Sequence, residues 1–305
     1  IIKRDYSYAY VMRRNKMKKI KVAFLYDFDK TLCDRDMQEY SFIPNLGMTP
    51  QEFWGQTGVI AEECGMERIL SYMYLMVKLS REKNIPLTKE YLNKCGEGIK
   101  LYKGVDTWFD RINKIGEELG IEIEHYVLSS GTTEIIEGSD ISKKFKKIYG
   151  CCFHYDENGV ADFPLNVVNY TTKTQYIYRI SKGIFDITDD VNLNSKMPQE
   201  KRHIQEGNMI YFGDGLTDVP CMKLVKQQGG KAIGIYQPGK LGKASDLLLD
   251  GRCDFLTKSD YSDGSEIEQI VRTVLERISL ENKLDDKYNQ MVKKAAKAFN
   301  EQNKK

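Results

Sequence analysis

Two aspartates two positions apart, Asp27 and Asp29, follow directly on the apolar run Val22-Ala23-Phe24-Leu25-Tyr26 and precede Lys30-Thr31-Leu32. A carboxylate pair in that place can attack an electrophile, move a proton, or hold a hard cation. A second acidic pair, Asp214 and Asp218, lies in Gly213-Asp214-Gly215-Leu216-Thr217-Asp218, again just after an apolar run. Ser129-Ser130-Gly131-Thr132 ends a third apolar stretch, and Lys173 stands in the first turn of a helix expected over residues 172–181. A lysine there faces the positive end of the helix dipole, which disfavours it unless an anion sits nearby.

These groups suit phosphoryl transfer if they converge. A carboxylate can become an aspartyl-phosphate, and Mg²⁺ takes a few carboxylates together with phosphate oxygens. Lysine, hydroxyl and backbone amide donors can hold the phosphoryl oxygens as charge spreads onto them. Clustered aspartates repel one another, so the same set implies a cation. Each piece also has a plainer reading: Asp-x-Asp-x-Thr as a turn closing a strand, Ser-Ser-Gly-Thr as an ordinary helix cap, Lys173 as an exposed surface lysine.

The elements that must bring them together are legible in the periodicity. Residues 21–26, 121–128, 208–212 and 231–236 read as strands buried on both faces, the pattern of a parallel sheet. Ligands bind beyond the carboxyl ends of such strands, where the acidic and hydroxyl residues stand. Between the first two strands the pattern turns helical, with a capping box at Thr49-Pro50-Gln51-Glu52, another start near Thr88, and an apolar face through Ile69, Leu70, Met73, Leu75, Met76 and Leu79. Residues 105–119 form an amphipathic helix, and Asn158-Gly159 marks a hairpin. Residues 183–207 read as a polar surface insertion. Ser265-Glu266-Ile267-Glu268 reads as a capping box opening a helix, and a charged helical tail follows from residue 280, packing through Leu284, Tyr288, Met291 and Phe299.

Bulk properties narrow the partners. The 305 residues carry 46 basic and 44 acidic side chains, a net charge of +2, so no strong nucleic-acid or membrane signature is present. No stretch approaches the roughly 20 apolar residues of a membrane span. The seven cysteines form no C-x-x-C pair and no zinc-ligand spacing, which fits a reduced, cytoplasmic protein. Residues 1–16 are basic with interleaved tyrosines; Met17 directly precedes the first element, and the segment is read as a flexible N-terminal extension.

The four segments, in this order, resemble the four motifs of the haloacid dehalogenase (HAD) superfamily, most closely its phosphoserine-phosphatase-like branch. The resemblance implies an α/β fold: a Rossmann-like parallel sheet core flanked by helices, with an inserted helical cap subdomain. On that reading residues 17–34 and 104–280 form the core, 35–103 the cap and 281–305 a C-terminal charged helix. It implies Asp27 as nucleophile and Asp29 as general acid/base. Ser129, the Ser130 amide and Lys173 become phosphate-binding groups, and Asp27, Asp29 (through its carbonyl), Asp214 and Asp218 the Mg²⁺ site. Asp36 occupies the offset of the branch's substrate-sensing acidic residue and is the candidate for substrate specificity. The expected activity is Mg²⁺-dependent hydrolysis of a small phosphorylated metabolite. A phosphotransferase or phosphomutase on the same scaffold, or a non-catalytic binding module, are the alternatives.

Overall fold

The computed structural model describes residues 20–302, so the basic extension over residues 1–16 lies outside the described part. Seven strands form one sheet: β1 (Ile20–Tyr26), β2 (Ile121–Thr132), β3 (Lys147–Tyr155), β4 (Ala161–Asn166), β5 (Met209–Gly213), β6 (Lys231–Tyr236) and β7 (Phe255–Lys258). Their order is β4-β3-β2-β1-β5-β6-β7, parallel throughout except for the antiparallel β3–β4 hairpin. Gly159 takes φ +73° in that hairpin's turn, which explains the Asn-Gly signal.

β1 is the centre of the sheet, and residues Val22 to Tyr26 are fully buried. The chain builds β2 to β4 on one side of it and β5 to β7 on the other. The order therefore reverses between β1 and β5, and the chain leaves the carboxyl ends of these two strands in opposite directions, the place where a crevice forms. Both faces are covered, which is why the strands read as unbroken apolar runs rather than alternating ones. Helix α5 (Val105–Glu118) packs with the start of the C-terminal helix, and α7 (Lys173–Lys182) with α9 (Val219–Gln227).

After Asp29 the chain leaves the sheet for α1 (Phe42–Asn45), α2 (Pro50–Cys64), α3 (Arg68–Glu82) and α4 (Lys89–Gly96). The Thr49 capping box forms as the sequence requires: Glu52 N–H donates to Thr49 Oγ1 at 3.3 Å, and Thr49 N–H to Glu52 Oε2 at 2.8 Å. The segment returns through a bridge of Cys33 to Leu101 and a bond from Tyr102 N–H to Leu32 O at 3.0 Å. Both ends of the insertion thus stand beside Asp29. Its last helix is pressed on the short α6 (Thr133–Glu137). A Cβ on Gly138 would lie 1.8 Å from Asn93 O, so only glycine permits that approach.

Three local expectations are corrected. β2 does not end at Leu128: it runs on to Thr132, which pairs with Cys151 after an irregularity and is also the N-cap residue of α6, without a side-chain cap bond. The Ser265 capping box does not form: the Ser265 hydroxyl has no partner, while Glu268 is drawn to Arg111 Nε at 2.9 Å. The tail, too, departs from expectation, turning Leu284, Tyr288 and Met291 outward rather than into the core. Helix α11 (Glu266–Gln302) buries Ile267, Val271, Val274, Leu275 and Ile278, but Leu284, Tyr288, Met291 and Phe299 are 67%, 67%, 71% and 54% exposed. Ser279 reaches Leu119 O at the end of α5, and beyond that point the helix has run past the sheet.

Two elements the periodicity did not reveal, α10 (Leu241–Leu249) and β7, complete the far side of the sheet. The polar insertion after α7 carries short α8 (Asp190–Asn194) and is pinned by buried Arg179, which donates to Asp186 O at 2.7 Å and Ile187 O at 2.9 Å. None of the described helices is long and apolar enough to cross a membrane.

Candidate active site

The crevice between β1 and β5 gathers the acidic residues. Asp27 continues β1, and its N–H donates to Phe212 O at 2.8 Å, tying the two strand ends together. Lys173, with no exposed surface, extends from the first turn of α7 and donates to Asp27 Oδ1 at 2.8 Å and Asp218 Oδ1 at 2.7 Å. This is the anion that its place at the helix N-terminus called for. Asp27, Asp214 and Asp218 each offer a carboxylate oxygen within 4.8 Å of the others.

Asp218 is fully buried and saturated. Besides Lys173 it accepts from Tyr211 Oη at 2.7 Å and from the Asp214 and Gly215 amides at 3.2 Å each. It therefore shapes the loop that carries Asp214. A Cβ on Gly213 would lie 2.5 Å from Asp218 Cγ, so the glycine is what lets the carboxylate fold under the loop. Asp29 Oδ1 accepts from Met37 N–H at 2.8 Å, a bond joining the second aspartate to the first residues of the insertion. Ser129 is buried, and its Oγ accepts from Gly131 N–H at 3.0 Å, leaving its own hydrogen free to donate. The Ser130 hydroxyl is buried without a partner.

The electrostatics follow from burial. The Asp27 carboxyl is pushed up to about 7: burial raises it, Lys173 pulls it down, and Asp218 raises it again. Burial, then the nearby Asp36 and Asp27 charges, hold Asp29 well above the carboxylate range. Asp214 is raised in the same way by burial, Asp218 and Asp27. Lys173 is raised despite its burial, because Asp218 and Asp27 favour its charge. One buried ammonium thus serves several buried carboxylates, and an oxygen-only donor set with excess negative charge fits Mg²⁺.

All of the residues singled out in the sequence except Lys173 and Asp218 line one cavity of about 750 Å³, and those two lie buried behind its acidic wall. Asp36 is there, but its carboxylate is engaged by Lys30 Nζ at 2.8 and 2.6 Å. Lys30 itself holds φ +57°, a left-handed conformation that costs a non-glycine residue about 1–2 kcal/mol. Several participants escaped sequence reasoning. Tyr72 Oη donates to Ser130 O at 2.7 Å from α3, 58 positions away, and Tyr211 supports Asp218; neither carries a local signal. Thr31 Oγ1 stands 3.5 Å from Asp27 Oδ2 and was visible only as part of the acidic motif.

No family model matches the chain. An uncharacterized protein of Borreliella burgdorferi is 24% identical over 286 residues, spanning 85% of this chain and 97% of that one. Among solved structures, a HAD family hydrolase from Salmonella enterica superposes with a TM-score of 0.51 at 17% identity, covering 77% of this chain and 66% of its own. A phosphoserine phosphatase holding an analogue of its phospho-aspartyl intermediate superposes with a TM-score of 0.52 at 17% identity, covering 84% and 99%. The chain thus has the HAD-like fold, a mostly parallel Rossmann-like sheet flanked by helices with further helices inserted after the first strand.

Proposed function

We propose that the protein is a phosphomonoester hydrolase of the HAD type, dependent on Mg²⁺ and acting on a small phosphorylated metabolite. The observation that carries this reading is Lys173, fully buried and shared at 2.8 and 2.7 Å between Asp27 and Asp218 at the sheet's switch point. A structural ion pair needs one carboxylate; this ammonium is set among several, behind the acidic wall of a cavity.

In this proposal Asp27 attacks phosphorus through the carboxylate oxygen not held by Lys173, forming an aspartyl-phosphate. Lys173 and the Thr31 hydroxyl orient that carboxylate. Asp29, whose carboxyl burial pushes well above the ordinary carboxylate range, gives its proton to the leaving oxygen and later takes one from the attacking water. The Ser129 hydroxyl and the Ser130 amide hold phosphoryl oxygens. Asp27, Asp214 and the Asp29 carbonyl would hold the metal, with Asp218 fixing Asp214 from behind. When bound, Mg²⁺ would neutralise the charge that gathers on the phosphoryl oxygens. The insertion, residues 35–103, serves as a cap, its entry and exit both beside Asp29, and excludes bulk water from the site. The Lys30–Asp36 pair meets the leaving group.

The test is release of inorganic phosphate from a panel of small phosphate esters. Activity should need Mg²⁺, vanish in EDTA, and be lost in Asp27→Asn with the fold retained. Phosphate appearing on an added alcohol in place of water would favour phosphotransfer. Full turnover in chelator, or in Asp27→Asn, would refute the mechanism.

A further inference from the structure

The insertion contributes five side chains to the lining of the cavity: Asp36, Gln38, Trp54, Ile69 and Tyr72. Taken one by one, they leave little for a polar ligand to meet. The Asp36 carboxylate is neutralised by Lys30 Nζ at 2.8 and 2.6 Å. Gln38 is only 1% exposed. Tyr72 spends its hydroxyl on Ser130 O at 2.7 Å, and Trp54 donates its indole N–H to Glu39 Oε1 at 2.8 Å. Ile69 has no polar atom in its side chain. What Trp54, Ile69 and Tyr72 present to the cavity is therefore ring and aliphatic carbon.

Their place and rigidity fit a wall for the leaving group. Tyr72 is bonded to the carbonyl of Ser130, the residue whose amide is assigned to the phosphoryl group, so the apolar wall begins beside the phosphate pocket. Trp54 stands edge-on to Tyr72, ring centroids 6.0 Å apart at 78°, and to Phe53 at 5.0 Å and 80°, which fixes the plane of the indole. Tyr72 is buried, while Trp54 and Ile69 in front of the core are half-buried and keep surface to be covered. From the loop that carries Asp214, Leu216 lines the same cavity and is 76% exposed. Apolar surface left open in a ligand cavity is covered favourably by apolar ligand atoms.

We infer that the alcohol part of the substrate is apolar, of about the bulk of a phenyl ring, and packs on Trp54 and Ile69 with Tyr72 behind them. This rests on the hydrolase reading and extends it to substrate class. Trp54 and Ile69 are then the specificity-determining residues. An ammonium beside the ester oxygen, as in an amino-acid phosphate, would meet Lys30 as a like charge and find Asp36 already paired; that is discrimination against the wrong substrate. Charged side chains of another element, Lys243 and Asp246 of α10, also line the cavity, so ligands with a charged tail are the competitors to set against the apolar one.

The experiment titrates 3-phenylpropyl-, propyl-, 3-aminopropyl- and 3-carboxypropylphosphonate calorimetrically into the full chain with Mg²⁺. The carbon–phosphorus bond is not hydrolysed, so the readout is independent of turnover. The phenyl compound should bind at least about tenfold tighter than the propyl one, and the two charged compounds no tighter than propyl. A second readout needs no variant. The chain holds two tryptophans and Trp108 is fully buried, so iodide quenching of fluorescence reports Trp54. The phenyl compound should shield it and propylphosphonate should not. Trp54→Ala should cut the phenyl advantage to about threefold or less, and Trp54→Phe should retain most of it. Equal binding of the phenyl and propyl compounds, a charged compound that binds as tightly as the phenyl one, quenching that the phenyl compound leaves unchanged, a phenyl advantage that survives Trp54→Ala, or no binding of any phosphonate overturns the inference. If advantage and shielding are found but no ester is hydrolysed in Mg²⁺, the apolar subsite stands and the hydrolase reading falls.

Discussion

Replacing Lys173 with methionine isolates the electrostatics of the site. Methionine fills nearly the same volume but removes the ammonium that lies 2.8 Å from Asp27 and 2.7 Å from Asp218. At an effective dielectric constant of about 20, each contact has a gross Coulomb term of about 6 kcal/mol. Most of that is offset by the desolvation of the charges, and breaking a buried pair from one side costs about 3–5 kcal/mol net. The loss should be measured in chelator, by urea unfolding followed by far-UV circular dichroism. Its pH dependence has a definite sign. Asp27 already has its folded-state pKa raised to about 7, so in the unsubstituted protein stability falls as pH rises toward that value. Without Lys173 that pKa moves higher still. Below about pH 7 both proteins hold the proton and the difference between them is nearly constant. Above it only the variant holds it and goes on losing stability, so the difference grows with pH, by up to about 1.4 kcal/mol per pH unit. Adding Asp27→Asn to Lys173→Met removes one of the stranded carboxylates and should restore most of the loss. A variant as stable as the parent, or a double variant no more stable than Lys173→Met, would refute the account of Lys173 as counter-charge.

Three further outcomes are expected. Asp29→Asn should lower kcat about 10²–10⁴-fold with little change in KM, since it removes proton transfer and leaves the phosphate contacts in place; steady-state kinetics on one ester decides. His125 is buried, accepting from Tyr26 Oη at 3.1 Å and donating to Asn113 Oδ1 at 3.0 Å, and burial pushes it down to about 3. Its unfolded-state pKa is about 6.5, so the folded state binds fewer protons below that pH, and about 2–3 kcal/mol of stability should be lost between pH 6.5 and 4.5. His125→Gln should remove that part of the slope in urea melts; an unchanged slope refutes it. The cap predicts higher kcat/KM on a small phosphate ester than on a folded phosphoprotein carrying the same ester, and equal turnover of the two refutes the lid.

The acidic and hydroxyl motifs were legible because each sits where a strand ends, and a strand buried on both faces announces itself as a short apolar run. β1, β5 and β6, the capping box at Thr49 and the hairpin at Gly159 could all be read from local residue chemistry. So could the helical character of the insertion, whose boundaries as a separate unit remain a proposal. What failed locally failed for a tertiary reason. Ser129 to Thr132 has the composition of a turn, yet β2 runs on through it to pair Thr132 with Cys151; Glu268 has the spacing of a capping residue, yet Arg111 from α5 claims it. Leu284, Tyr288 and Met291 have helical spacing but stand largely exposed among the described residues.

By itself, the sequence singled out the residues whose types could carry chemistry and placed them at strand and helix ends. Only the tertiary structure decided which of them touch. Lys173 is 146 positions from Asp27 and 45 from Asp218, and it is the order of β1 and β5 in the sheet that brings all three together. The fold likewise occupied Asp36 with Lys30. Pairing between distant side chains depends on distance and burial, and neither is a property of a residue or of its neighbours in the chain.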